Sequence, residues 1–400
     1  MYLTHLSLTN FRAFTRLDMD VPRQVLLLVG SNAQGKTSVL EAIYYLAAFT
    51  SFITQNDRQL VSFLVKDDTL AVGRVVASFV RSGTSHRMEV RLIQEAVNGT
   101  PARLRKEILV DGVKRTAHEA LGQFTSVIFL PQMMRIFEGG PEERRRYVNL
   151  ALSQAVPGYS QALSDYAQAV TQRNALLKQL AERGGDAEQL FFWDTTLAQR
   201  GAQIIAARIS AIQEIERQAA RIHARLTHGR EVLRLDYQPS YDPLPKPEGQ
   251  YALKINSPVN RNSFSVEQIR DGMLQRFREV RNEEIARGVT TLGPHRDEMR
   301  FMANEMDLGD YGSRGQVRTA LLALKLAEVN WLKERTGDWP VLLLDETLAE
   351  LDIQRRADLL TYLGECEQGL LTTTDLGQFA PEFVQASTVW KVTEGQVSLG

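Results

Sequence analysis

The sequence predicts an α/β protein whose sheet-bearing part is built from both chain ends, with a helical arm inserted between them. Three observations carry this expectation. Short apolar runs of strand length occupy the first 130 residues and return at 341–344, 370–372 and 389–392. Between them, from about Pro157, the apolar residues change to helical spacing. Near residue 30 an apolar run enters a glycine loop and then a helical stretch.

Leu6 and Leu8 alternate with polar neighbours, as do Met88, Val90 and Leu92, the pattern of half-buried strands. The run 108–110 meets Asp111-Gly112, a pair suited to a type I′ hairpin. Residues 127–130 read as a buried strand. Tyr159, Leu163, Tyr166, Val170, Leu177 and Leu180 share a helix face that stops at Gly184-Gly185. Leu197, Ile204, Ala211, Ile215, Ala219, Ile222 and Leu226 share another, which predicts two long antiparallel helices joined by a short turn. Residues 237–258 hold five prolines and predict a loop with room for a short strand. Ser265 and Gln268 form a capping box before a third helix through Ile269, Met273 and Phe277. The expected boundaries are 1–155 for the first part of the sheet domain, 156–288 for the arm and 289–400 for the second part.

With 400 residues, 44% of them hydrophobic, the chain has material for a core and for two or three domains. Lys+Arg number 47 against 48 Asp+Glu, so any nucleic-acid site must come from local charge. The single cysteine, Cys366, excludes a disulfide framework and a Cys-rich zinc site and suits a reducing cytoplasm. No apolar run approaches the ~18 residues of a membrane span, and the first residues do not read as a signal peptide.

The chemistry lies in three motifs. Gly30-Ser31-Asn32-Ala33-Gln34-Gly35-Lys36-Thr37 is a Walker A loop in its required strand-to-helix context, with Ser38 continuing the helix. Its backbone N–H groups and helix terminus suit phosphate, Lys36 would reach the β- and γ-phosphates of ATP, and Thr37 would ligate Mg²⁺. A plain glycine turn is the alternative. The run 341–344 ends in Asp345-Glu346, a Walker B pattern in which Asp345 would hold Mg²⁺ and Glu346 would activate water. Lys36 and Asp345 lie 309 residues apart, which fits an ATPase head split by an arm better than a small kinase or GTPase. Gly312-Ser313-Arg314-Gly315-Gln316 precedes a long helix and resembles the S-x-G-Q signature of ABC ATPases. One chain with two anion-binding helix ends predicts an ATP-dependent homodimer, with Walker A from one subunit facing Ser313, Gly315 and Gln316 of the other. An ordinary N-capped helix is the alternative there.

Other elements fit an ABC-type P-loop head. Leu348 to Asp352 stands where such proteins carry a D-loop, with Asp352 at the dimer seam. Leu371-Thr372-Thr373-Thr374-Asp375 stands at a strand end where many carry a switch histidine; a threonine there, assigned as Thr374, could contact the γ-phosphate, with a strand-end turn as the alternative. Gln132 resembles the Q-loop glutamine, a further Mg²⁺ candidate, with a surface-loop residue as the alternative. Asn10-Phe11-Arg12 is similar to the segment of SMC heads whose arginine lies by the nucleotide phosphates.

Together with N-F-R-A-F, Q-R-N-A-L-L-K from Gln172, L-G-P-H-R-D from Leu292, R-T-A-L-L-A-L-K-L-A-E from Arg318 and L-L-L-D-E-T-L-A-E-L-D, these motifs resemble the RecF family over nearly the whole chain. The resemblance implies a DNA-binding, weakly hydrolysing ATPase of gap repair. It would act on single-stranded and gapped or duplex DNA with RecR and RecO to place RecA. The chain departs from the family pattern at Arg314, where glutamine is usual, at Glu346, where aspartate is common, at Gln132, where an acid is usual, and at Asn149, where aspartate is common. A transport-type ABC subunit and a P-loop small-molecule kinase are competing classes. The long arm speaks against the first and the signature against the second.

For DNA, residues 72–117 hold nine basic against four acidic residues, a local excess of five positive charges that includes Arg74, Arg87, Arg91, Arg105 and Lys106. Such a patch suits backbone phosphates without sequence readout. Arg217, Arg221 and Arg225 form a second basic stripe in the arm. A solvated face is the alternative for each. His295 and Arg296 read as structural or nucleotide-adjacent.

Overall fold

The computed structural model describes residues 1–65, 69–97, 100–244 and 261–399. The chain forms two compact units, one of residues 1–134 and 321–400 and one of residues 135–320. The expected arm, 156–288, lies inside the second unit. Strands are numbered along the chain, so that the first unit holds β1–β8 and β12–β15.

In the first unit, β1 (Tyr2–Phe11), β2 (Phe14–Asp20), β4 (Leu70–Arg81), β5 (Thr84–Val97), β6 (Thr100–Val110) and β7 (Val113–Arg115) form an antiparallel sheet in the order β2-β1-β4-β5-β6-β7. The β6–β7 turn is the two-residue hairpin the sequence predicts, with Asp111 at φ 50° and Gly112 at φ 79°. A second sheet, β15-β14-β3-β13-β12-β8, uses β3 (Val25–Val29), β8 (Ser126–Phe129), β12 (Val341–Asp345), β13 (Gly369–Thr373), β14 (Thr388–Thr393) and β15 (Gln396–Leu399). Its β3, β13, β12 and β8 pair in parallel and are almost wholly buried, as continuous apolar runs demand. Helix α1 (Lys36–Ala48) packs against strands of both sheets, and so almost every residue after its first turn is buried.

The second unit pairs α3 (Tyr159–Arg183) with α4 (Leu190–Leu226), preceded by α2 (Pro141–Ala155) and joined by α5 (Val266–Arg287). Gly184 at φ 69° and Gly185 at φ 135° break α3 from α4. The predicted capping box stands: the Ser265 hydroxyl accepts from Gln268 N, and the Gln268 side chain accepts from Ser265 N. One expectation shifts. Strand β9 (Leu233–Gln238) runs two residues into the expected loop, because Leu233, Leu235 and Tyr237 alternate into the core against β10 (Glu298–Ala303), which also pairs with β11 (Met306–Asp307). Much of the remaining expected loop, 245–258, lies outside the described residues. Beyond these run α6 (Arg314–Thr336), which starts in the second unit, and α7 (Ile353–Glu365) in the first.

The segment Leu292 to Asp297 is the centre of a buried polar network in the second unit. Asp297 accepts from Arg208 at 2.6 Å, from the Tyr237 hydroxyl and from Ser240 N. Arg208 also bonds the Pro294 carbonyl, the Tyr159 hydroxyl and Asn149. The neighbouring Arg173 meets Asp194 and Glu284, all three buried. Gly293 has φ 122°, and a Cβ there would fall 2.1 Å from the Tyr166 hydroxyl. That hydroxyl instead bonds His295 Nδ1 at 2.8 Å.

Burial pushes the His295 imidazole down to about 4. Its folded value lies below the ordinary 6.5, so the unfolded chain binds the proton first as pH falls. The stability this imidazole contributes is therefore complete above about pH 6.5 and is lost as pH falls toward 4. Thermal melts between these limits should show a shallower acid-side decline for His295→Gln than for the parent chain; equal slopes would refute this assignment.

Candidate functional site

Strand β3 carries the chain into the loop 30–35. A Cβ on Gly30 would fall 2.3 Å from the Val392 carbonyl oxygen, so packing alone requires glycine there. Ala33 at φ 63° and Gly35 at φ 108° turn the backbone into α1. Gln34 ties the loop down, its side chain accepting from Glu394 N at 2.6 Å. Ser31, Asn32 and Ala33 are exposed, while Ser38 is half-buried in the first turn of α1. Lys36 Nζ donates to the Gly30 carbonyl at 2.7 Å and the Ser31 carbonyl at 3.0 Å, and lies 3.6 Å from Glu346 Oε1.

The Thr37 hydroxyl lies 2.9 and 3.0 Å from the two Asp345 oxygens. The parallel register of β12 and β13 sets Asp345 opposite Thr372, whose hydroxyl donates to Asp345 Oδ1 at 2.7 Å and accepts from Glu346 N at 3.0 Å. Burial raises the Asp345 carboxyl above its ordinary range, with the Thr372 and Thr37 hydrogen bonds acting against it. Glu346 adopts the left-handed conformation at φ 48°, which costs a non-glycine residue roughly 1–2 kcal/mol. Its side chain is 45% exposed. Thus Lys36, Thr37, Asp345 and Glu346 converge, and Thr372, which the sequence did not single out, joins them.

Arg12 is held by a bidentate bond to Glu41, at 2.7 and 2.6 Å, and by the Gln59 carbonyl. Glu41 is fully buried on α1, five residues after Lys36, and also accepts from Ser51. Gln132 is exposed just past β8, and Thr374 is exposed just past β13. Asp352 caps α7, accepting from Arg355 N at 2.9 Å. Among the described residues no cluster of three or more His, Cys, Asp or Glu could hold a metal by itself.

In the second unit, Ser313 and Gln316 bond reciprocally at the start of α6, at 3.3 and 3.0 Å. Gln316 also donates to Glu231 at 2.9 Å. Gly312 is required by packing, since a Cβ would lie 2.5 Å from the Leu308 carbonyl oxygen. Gly315 is not: a Cβ there would meet only Ser313 Oγ, at 4.0 Å.

The basic patch of the first unit is largely neutralised. Arg74 and Arg91 sit opposite each other across β4 and β5, and Glu89 bonds both. Arg74's hydrogen bonds, aided by Arg91's, hold the Glu89 carboxyl down at about 2. Glu107 lies 3.0 Å from Lys114, 3.8 Å from Arg105 and 3.9 Å from Arg91. Lys106 turns inward, 2.6 Å from Asp57 and over the Tyr45 ring. Arg87 and Arg105 remain exposed.

Residues 2–396 match the family described as RecF/RecN/SMC N terminal domain. The DNA replication and repair protein RecF of Herpetosiphon aurantiacus is 36% identical over 406 residues, covering 99% of each chain. The chain belongs to the RecF family. The RecF of Chloroflexus aurantiacus is 37% identical over 410 residues, covering 100% of each. A solved structure of the recombination mediator protein RecF with ATP in the RecFOR pathway matches with a TM-score of 0.83 at 28% identity, covering 100% of this chain and 97% of the other. The fold is therefore the ABC-ATPase head of this family with its helical insertion. One departure from the family pattern has a physical account. Asn149 accepts from Tyr159 and Arg208, and the Arg208 charge is already met by Asp297, so a neutral side chain suffices. The exposed Arg314 opens α6, and nothing in the structure explains that substitution.

Among the described residues no helix is long and apolar enough to cross a membrane.

Proposed function

We propose that the chain is a cytoplasmic ATP-controlled DNA-binding protein of recombinational gap repair, which dimerises on ATP and acts with RecO and RecR to place RecA on single-stranded DNA. The observation that carries the reading is Gly315. Glycine in the first turn of a helix costs stability relative to alanine, of order 1 kcal/mol within a helix, and here neither packing nor backbone conformation requires it. Bare backbone N–H groups at a helix start are what a phosphate needs. Lys36 with its glycine loop offers another such site on the first unit, and ATP shared between two chains uses both.

Mg²⁺ fits Thr37 and Asp345, because such sites take one or two protein oxygens and complete the shell with phosphates and water. When bound, Mg²⁺ would offset phosphate charge. Lys36 would hold the β- and γ-phosphates, and Glu346 would take the proton of the attacking water. Arg12, pinned by Glu41, would present one edge of its guanidinium to the nucleotide, Gln132 would be a further Mg²⁺ ligand, Thr374 would contact the γ-phosphate, and Asp352 would sit at the dimer seam.

Two outcomes test the assignment. Glu346→Gln should keep ATP binding and ATP-dependent binding of gapped or duplex DNA, and slow hydrolysis at least about tenfold; unchanged turnover removes Glu346 from the role. Thr372→Val should lower kcat about tenfold with ATP affinity within about threefold, because it frees both Asp345 and the Glu346 backbone, and Thr372→Ser should restore it. If Val and Ser behave alike in binding and kcat, the hydroxyl does not position the pair.

A further inference from the structure

We infer that Arg217, Arg221 and Arg225, on the outer face of α4, bind the phosphate backbone of duplex DNA. The inference rests on the DNA-binding reading above and assigns it a surface. All three side chains are exposed and have no ion pair or hydrogen bond among the described residues. The acids beside them are engaged elsewhere: Glu214 accepts from Ser210, and Glu216 faces Arg234. This is the reverse of the first unit, where Glu89 and Glu107 answer the arginines around them.

The stripe is costly to the helix. Like charges at i, i+4 destabilise a helix, and two such pairs follow one another here. The helix dipole favours Arg225 in the last turn but does not account for Arg217 and Arg221, since its field on cations falls off within that turn and α4 continues to Leu226. At 1.5 Å per residue the stripe spans about 12 Å along a straight axis. That matches the axial run of about three to four phosphates on one DNA strand, at 3.4 Å each. Exposed Arg230 extends the positive surface past the helix end.

The test is a salt titration of the full chain with ATP and a fluorescent DNA duplex, read by anisotropy. Arg217→Glu, Arg221→Glu and Arg225→Glu together should weaken binding at least about tenfold. They should also flatten the plot of log affinity against log salt by about 2.7, from about 0.9 for each phosphate no longer neutralised. Arg87→Glu with Arg105→Glu should stay within about threefold of the parent. The triple Arg→Gln variant should fall between the parent and the Glu variant, which separates charge from any disturbance of folding. An arm variant that keeps the parent's affinity and slope overturns the proposal while leaving the DNA reading intact. Loss of binding to anionic phospholipid vesicles with unchanged DNA affinity overturns it in favour of a lipid surface. A parent chain that binds no duplex at any salt overturns both readings.

Discussion

Lys36→Ala should abolish ATP binding at micromolar nucleotide, an effect of at least about a hundredfold. A charged hydrogen bond contributes about 1.5–3 kcal/mol, and the ammonium would make more than one to the β- and γ-phosphates. The same Nζ bonds the Gly30 and Ser31 carbonyls, so the variant loses part of what shapes the loop as well as the charge. Titration calorimetry with ATP reads the loss, and thermal melting shows whether the fold survives. Lys36→Arg keeps the charge but is too large for a buried position that is only 4% exposed, and should recover little. ATP affinity that persists in Lys36→Ala would mean that the loop 30–37 does not hold the phosphates.

The second large effect is a gain. Lys36→Ala spoils the Walker A half of a shared site. Ser313→Arg removes the hydroxyl that caps α6 and fills the start of the helix with bulk. Neither variant alone should dimerise with ATP, because each homodimer lacks a complete site. A mixture contains pairs in which one site is doubly broken and the other is intact, so ATP-dependent dimers should reappear, detected by sedimentation with one labelled partner. Each variant is also mixed with parent chain. If those control pairs form and the mixed variants never do, ATP is not shared between chains.

The sequence exposed the outline because the outline rests on local pattern. Strand periods, the hairpin at Asp111-Gly112, the capping box at Ser265 and the glycine loop are each written within a few adjacent residues. What it hid depends on register and on distant partners. Thr372 looks like any of three threonines in a row until β13 is laid against β12, which puts Thr372 and neither of its neighbours beside Asp345. Burial between packed elements makes Glu41 the counter-ion of Arg12, a pairing across 29 residues that no local pattern shows. Charge counting over 72–117 could not see that strand alternation turns Lys106 inward and sets Glu89 between two arginines. In the second unit, Leu292 to Asp297 was legible as a motif, but its work as a hydrogen-bonding hub draws on Tyr159 and Tyr166 from α3, Arg208 from α4 and Tyr237 from β9.

The strand that feeds the glycine loop also has a history during synthesis. β3 leaves the ribosome early, but its partners in the sheet are β13 and β14. At 5–20 residues per second, roughly 20 to 70 s separate the making of Val29 from that of Thr393. Until β13 is made near the end of that interval, both edges of an apolar strand wait for neighbours that do not yet exist, while the intervening helices of the second unit can already fold. A nascent chain in this state exposes unpaired apolar strand edges, the surface that favours aggregation, and a message cut short upstream of β13 leaves the strand that feeds the glycine loop without its parallel neighbours.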